Sequence, residues 1–184
     1  MRENRITERT MTVAALTVTA FFGYAIALFG ANNTTNLSSR DSSFLKDAAQ
    51  GGMEEVKLGQ LAQQNGASER VKQFGEHMVK DHTAMGDDVK SVAASDNVDL
   101  PSDIGLKAKA SYKMLEMKKG ADFDKAYMSA MIKDHKNDIA AFQKEANSGN
   151  DPNVKALASK ALPKLREHLQ MAENVARDLG IAAQ

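Results

Sequence analysis

The chain has 184 residues, of which 42% are apolar and 26% are charged, so it is long enough for one domain with a hydrophobic core. Lys plus Arg and Asp plus Glu each number 24. This balance argues against a nucleic-acid-binding protein, whose affinity depends on concentrated positive charge. There is no Cys, which excludes disulfides, thiolate metal sites and a thiol nucleophile.

The N-terminal 31 residues have the pattern of an export or anchoring segment. An uncharged apolar run over residues 11–31 follows three arginines, so the positive end should stay in the cytoplasm and the rest should be exported. The run is long enough to span a bilayer, and residues 25–27 (AIA) fit a cleavage site. A cleaved signal peptide and an uncleaved inner-membrane anchor both predict a periplasmic or cell-envelope location. The membrane is a predicted partner through this segment if it is uncleaved.

Residues 32–40 are polar and turn-prone, which predicts a linker before a domain over residues 41–180. Within that domain, apolar residues recur at helical spacing, and strand-like alternation is absent from the sequence. The capping residues Ser68 and Asp151, and the Asn65-Gly66 stop, help to set the boundaries. Helices are predicted over residues 41–65, 68–94, 104–117, 122–146 and 152–179.

Four long amphipathic helices predict an all-α four-helix bundle. The first two and the last two are joined by short turns, so each pair should form an antiparallel hairpin. The connection between the second and third long helices exceeds 20 residues, which allows it to run back along the bundle, as in bundles with one crossover. Pro163 lies inside the last helix and predicts a kink there.

A short motif recurs in two of the long helices, as MVKDH at residues 78–82 and MIKDH at residues 131–135. In both copies the histidine falls within the apolar stripe and the aspartate falls on its edge. His168 lies at the edge of the stripe of the last helix, and Glu55 lies near the centre of the stripe of the first. A carboxylate on a buried face needs compensation of its charge.

The depth of these residues along the bundle predicts a single interior site. At about 1.5 Å per residue, the three histidines lie near their helix midpoints and Glu55 lies about one turn away. The predicted metal ligands are Glu55, His82, His135, His168, Asp81 and Asp134. The two aspartates would serve either as ligands or as groups that orient a histidine N–H. Such donors suit Zn, Fe, Mn or Cu.

Two other interpretations of the same residues stay open. The histidines and acids, with Asp138 and Glu145 also facing inward, can form a satisfied hydrogen-bond network in a structural or interaction module of the envelope, without a metal. A di-metal oxidoreductase is a third interpretation. No G-x-S-x-G, P-loop, G-x-G-x-x-G or H-E-x-x-H motif occurs, so the sequence assigns no catalytic residues.

The order of three motifs resembles the bacterial domain-of-unknown-function family 4142: a segment from residue 41 that ends in MVKDH, then FDKAYMSAMIKDH, then LPKLREHL. The resemblance covers residues 41–179 and implies an exported protein with a ferritin-like helical fold and no assigned activity. Positions that match the family pattern are Glu55, Asp81, His82, Phe123, Asp124, Tyr127, His135, Pro163 and His168. Adjacent Asp-His pairs replace the Glu-x-x-His of ferritin-like di-iron proteins, which disfavours a di-iron site.

Overall fold

The computed structural model describes residues 37–181, which contain five α-helices and no β-strand. The predicted signal or anchor segment (1–31) and most of the predicted linker lie outside the described residues. Within 37–181, every helix is too short or too polar to span a bilayer. The helices are α1 Ser39–Asn65, α2 Glu69–Ser95, α3 Leu106–Glu116, α4 Gly120–Ser148 and α5 Pro152–Asp178.

Side-chain caps fix the starts of three of the long helices. Ser68 caps α2, and Asp151 caps α5 with Pro152 in its first turn, as the sequence predicts. Helix α1 begins before the predicted start near Asp41, because the Ser38 hydroxyl accepts a hydrogen bond from the Asp41 backbone N–H. Helix α5 continues through Pro163 without a break.

The four long helices pack as two hairpins, α1–α2 and α4–α5, and the connection between them runs along α1. Val98 and Leu100 pack near the start of α1. Further along, the Gln50 side chain donates to the Asp103 carbonyl, and Asn65 at the end of α1 donates to the carbonyls of Glu116 and Lys118. The connection therefore returns along the length of α1, and α4 starts beside the α1–α2 turn.

Each hairpin turn is held by a buried aspartate near the start of a helix in the other hairpin. Asp124 of α4 accepts hydrogen bonds from the backbone N–H groups of Ala67 and Ser68 at 3.0 and 2.8 Å. Asp41 of α1 accepts from the N–H groups of Asn150 and Asp151 at 3.1 and 3.0 Å. These two contacts join the hairpins at opposite ends of the bundle. They therefore fix the position of one hairpin relative to the other along the bundle axis.

Helices α1 and α2 come into backbone contact at two glycines. A Cβ placed on Gly59 would lie 2.6 Å from the Gly75 carbonyl oxygen, and a Cβ on Gly75 would lie 2.6 Å from the Gly59 carbonyl oxygen. Only glycine permits this separation. The hydrophobic core beside this contact includes Phe74, Phe123 and Tyr127.

Candidate metal centre

Three imidazoles meet in the middle of the bundle, one each from α2, α4 and α5. His82, His135 and His168 are 4%, 0% and 0% exposed. Their ring centroids are 5.3–5.6 Å apart in all three pairs. Each ring offers one nitrogen such that the three nitrogens lie within 4.8 Å of one another. The helical periodicity of each stripe thus brings one histidine per helix to a common point.

Hydrogen bonds fix the tautomers of two of these rings. Nδ1 of His135 lies 2.9 Å from the Met131 carbonyl oxygen, which can only accept, so Nδ1 carries the proton. Nε2 of His168 lies 2.9 Å from the Asp81 carboxylate and donates to it. The remaining nitrogens, Nε2 of His135 and Nδ1 of His168, are 3.4 Å apart. Both carry lone pairs, so neither can donate to the other.

The third ring has an unsatisfied nitrogen. Nε2 of His82 is buried and has no hydrogen-bond partner among residues 37–181. Burial, followed by the neighbouring rings of His135 and His168, lowers the pKa of His82 to about 3. Burial also lowers the pKa of His135 to about 4. The rings are therefore neutral at physiological pH, which is the form that binds metal ions.

Asp81 connects the cluster to the surface. Burial acts to raise its pKa, but hydrogen bonds from His168 and Lys164 outweigh that effect, and the pKa is lowered. The Lys164 ammonium lies 3.4 Å from Asp81 and 2.9 Å from Glu167. Asp81 is thus an ionised carboxylate that holds the orientation of His168, one of the two roles predicted for it.

Glu55 lies beside the cluster rather than within it. Its Oε1 is 3.9 Å from Nδ1 of His135, the nitrogen committed to the Met131 carbonyl. Its Oε2 is buried without a partner among the described residues, as is the Tyr127 hydroxyl. Burial, with Asp138, Asp134 and Glu54 nearby, raises the pKa of Glu55 well above its ordinary value. The carboxyl group of this predicted ligand therefore lies near Nδ1 of His135, whereas Nε2 of the same ring lies near His168.

Asp134 and Asp138 belong with Glu55 to an acidic layer between α1 and α4. Burial raises the pKa of Asp134, and burial with the charges of Asp134 and Glu54 raises that of Asp138 to about 7. The two copies of the Asp-His motif therefore differ. Asp81 contacts an imidazole, whereas the charged neighbours of Asp134 are the acids Glu54 and Asp138 and the lysines Lys107 and Lys133. Glu145 lies at the end of the bundle, with its Oε2 3.4 Å from Arg40.

A cavity of about 310 Å³ reaches the cluster from one side. Asp81, His82 and Asp138 contribute polar groups to a wall that is otherwise mainly apolar, with Phe44, Met85 and Phe142 among its residues. Three glycines also line it, and a Cβ added at two of them, Gly51 and Gly86, would meet no atom within 4 Å. The cavity gives small solutes a route to His82.

Two orienting groups were not identified from the sequence. The Met131 carbonyl carries no side-chain signal, because every helix offers a carbonyl four residues before each side chain. Lys164 had a usable signal, since it precedes His168 by one helical turn and so shares its face.

Comparisons with solved structures place this fold among known helical proteins. A DUF305 protein from Streptomyces coelicolor, described as a candidate secreted protein, superposes with a TM-score of 0.68 at 12% identity, over 79% of this chain and 95% of that one. A DUF305 fragment from Deinococcus radiodurans superposes with a TM-score of 0.68 at 13% identity, over 78% and 97%. At these identities the likeness shows the fold alone.

The chain matches none of the curated proteins. A family model for a domain of unknown function, DUF4142, matches residues 28–175. This match includes the whole histidine cluster, Asp81 and the acidic layer, and it confirms the resemblance found in the sequence. The chain therefore belongs to the DUF4142 family.

Proposed function

We propose that this protein binds one transition-metal ion through His82, His135 and His168 and serves in metal handling in the cell envelope. The observation that carries the proposal is the pair of facing lone pairs on His135 and His168, 3.4 Å apart. Two nitrogens bound to one Zn²⁺ at about 2.0 Å in tetrahedral geometry lie about 3.3 Å apart. The pair thus has the spacing that a shared cation requires.

A proton is a poorer bridge than a metal ion at this position. Burial lowers the pKa of His135 to about 4 and also lowers that of His168, so an imidazolium is disfavoured between the two rings. A metal ion binds the neutral rings directly and could also use the unpartnered Nε2 of His82. At His82 and His135, where burial lowers the pKa to about 3 and about 4, protons compete little with the metal between about pH 5 and 7.

The donor set favours some metals over others. Imidazole nitrogen suits Zn²⁺, Cu and Fe, whereas Mn²⁺ prefers carboxylate oxygen. We assign Asp81 the outer role of orienting His168. Glu55 and Asp134 are neighbouring acids outside the coordination sphere, and burial raises the pKa of both. A coordination position is left open on the cavity side, where His82 lies in the wall.

The envelope location rests on the N-terminal pattern of arginines and apolar residues. The description of the Streptomyces protein as a candidate secreted protein supports it. The ferritin-like assignment rests on the two hairpins and the long connection that returns along α1, a topology found in bundles with one crossover. Fractionation of cells that produce the full chain tests the location, and recovery in the cytoplasm would contradict it.

The test of metal binding is the metal content of untagged protein. The proposal predicts close to one bound Zn or Cu per chain after incubation and gel filtration. Each of His82→Ala, His135→Ala and His168→Ala should lower the affinity by a factor of about 1,000, measured by competition with a chromophoric chelator. His77→Ala is the matched control, because His77 is the fourth histidine of the chain and is exposed.

A structural network without metal is the second candidate function. It is favoured by the hydrogen bonds that already hold His135 and His168 in place. It predicts protein that stays metal-free, with a melting temperature that Zn, Cu or Fe does not change. The histidine variants should then lose stability alone, and this pattern would overturn the metal proposal.

A further inference from the structure

The outward face of α3 carries large apolar side chains in an otherwise polar surface. Among residues 37–181, the exposed large apolar side chains are Leu106 (87%), Met114 (66%), Met117 (84%) and Leu179 (36%). The first three fall on one short stretch of chain. Only Leu115 of α3 is buried, so the packing of α3 on the bundle does not account for the exposed residues.

These residues form a stripe along the helix. Leu106, Ala110, Met114 and Met117 follow the spacing i, i+4, i+8 and i+11, which places them on one side of a helix within an arc of about 80°. All four are exposed. The stripe thus continues from the first residue of α3 to its C-cap.

Lysines flank the stripe on both sides. By helical spacing, Lys109 and Lys113 lie along one edge. Lys107 lies along the other edge, near Glu54 and Asp134, and Lys118 follows the C-cap. With Lys119, the segment of residues 103–119 has five lysines against Asp103 and Glu116, a net charge of +3 in a chain whose net charge is zero. Lys109 pairs with Asp103 at 2.5 Å and Lys113 with Glu116 at 2.6 Å, but exposed pairs of this kind exchange partners at little cost.

We propose that this face of α3 docks onto an anionic lipid bilayer. An apolar stripe between two rows of lysines is the pattern of a helix that lies in the interface plane, with its apolar side chains among the acyl chains and its lysines at the headgroups. The charge favours an anionic surface. The apolar stripe favours lipid over a purely polar anionic polymer, which has no acyl chains to receive it.

The test uses the full chain, which has no native cysteine, so that one introduced thiol carries the only label. Met117→Cys is labelled with an environment-sensitive fluorophore, and Ala156→Cys, exposed on α5, is the control position. Each protein is mixed with vesicles of phosphatidylcholine alone or of phosphatidylcholine with phosphatidylglycerol. Vesicles with brominated acyl chains then report whether the label reaches the hydrocarbon region.

The proposal predicts a blue shift and bromine quenching of the label at position 117 only with phosphatidylglycerol, and little change at position 156. The arginines of the N-terminal segment also favour anionic lipid, so position 156 reports how much of the response that segment could cause. Lys107→Gln combined with Lys118→Gln should weaken the response about tenfold. The matched pair Lys46→Gln and Lys80→Gln, which removes the same charge from exposed positions on α1 and α2, should not.

Three results would overturn the proposal. They are an equal response with neutral vesicles, an equal response at position 156, and a response at position 117 that depends on protein concentration without vesicles. The last result would assign the face to contact with a second copy. Circular dichroism of each variant verifies the fold, which these exposed positions should leave unchanged. Metal binding plays no part in the readout, so the outcome is independent of the proposed function.

Discussion

The ends of the bundle and its middle both contain buried polar groups, but of different kinds. At the ends, Asp124 and Asp41 each accept two backbone hydrogen bonds from a turn in the other hairpin. In the middle, Glu55, His82 and Tyr127 each keep a buried polar atom without a partner among the described residues. Asp96 and Glu145, near the end that holds Asp41, also keep one such atom each. What distinguishes the middle is that three imidazoles bring their nitrogens together there.

This difference indicates where the function lies. A buried polar atom without a partner costs about 1 to 3 kcal/mol, so several such atoms in one layer are a sizeable loss of stability. Unsatisfied groups of this kind often mark a site that an ion or ligand completes. The convergence of the three imidazoles in the middle therefore supports the proposed metal centre. The following variants compare that region with the aspartate contacts at the ends.

The largest effect on stability is expected at the end of the bundle. Asp124→Ala leaves the backbone N–H groups of Ala67 and Ser68 without their acceptor, and the free energy of unfolding should fall by about 3 kcal/mol. Urea unfolding followed by circular dichroism measures the loss. Asp122→Ala, at an exposed position two residues earlier in α4, should change it little. Equal effects of the two variants would contradict the assigned role of Asp124.

A smaller effect, with a distinct pH dependence, is expected at Asp138. Its folded-state pKa of about 7 lies above the ordinary value of 3.8, so the folded state binds the proton more tightly than the unfolded state does. The stability that this tighter proton binding gives to the folded state is fully present below about pH 4. It is lost as the pH rises through the folded-state pKa of about 7. Asp138→Asn should therefore raise stability at pH 8 by about 2 kcal/mol and have little effect at pH 4.

Thermal unfolding at both pH values provides the measurement for Asp138→Asn. The exposed residue Asp47 supplies a control, and Asp47→Asn should show no such dependence on pH. A stabilisation of Asp138→Asn that is the same at pH 4 and pH 8 would show that the buried charge is not its cause.

The repeated motif offers a matched pair for the metal proposal. Asp81→Asn removes the carboxylate that orients His168, and the affinity for Zn²⁺ should fall about tenfold. Asp134→Asn changes the same position of the other copy, where the carboxyl group contacts no imidazole, and should have a much smaller effect. Chelator competition measures both affinities. Equal losses would show that charge in the region matters and orientation of His168 does not.

The smallest effect is expected at the cavity wall. An added Cβ at Gly86 would meet no atom within 4 Å, so Gly86→Ala should stabilise the protein by about 0.5 to 1 kcal/mol through its better helix propensity. Gly75→Ala should have the opposite sign, because its Cβ would lie 2.6 Å from the Gly59 carbonyl oxygen. Thermal unfolding compares them, and stabilisation by both would contradict the close contact of α1 and α2.

Helix positions and the histidine cluster could be predicted because they depend on local rules. Ser68 and Asp151 cap helices as their residue types indicate, and helical spacing places one imidazole per helix inside. The start of α1 was harder to predict, because several residues of the serine-rich segment before Asp41 can act as N-caps. A helical wheel gives the face of a side chain, but it gives neither the side-chain rotamer nor the neighbours across the interface.

Side-chain rotamers and the neighbours across the helix interfaces explain the differences within the candidate site. Glu55 lies on the predicted face, yet its carboxyl group points to the side of His135 that is already hydrogen-bonded. Asp81 and Asp134 have the same angular position in motifs that differ at one residue, but α5 lies beside one and α1 beside the other. Only tertiary packing separates them, so sequence pattern alone predicted them as equivalent.

The different tautomers of His135 and His168 also allow the two rings to be distinguished by NMR spectroscopy. One ring holds its proton on Nδ1 and the other on Nε2, so nitrogen-15 chemical shifts should distinguish them in protein that carries no label other than the isotope. A ligand that reaches the free nitrogens would shift the Nε2 signal of one ring and the Nδ1 signal of the other. This crossed pattern would identify a bridging ion from solution data alone.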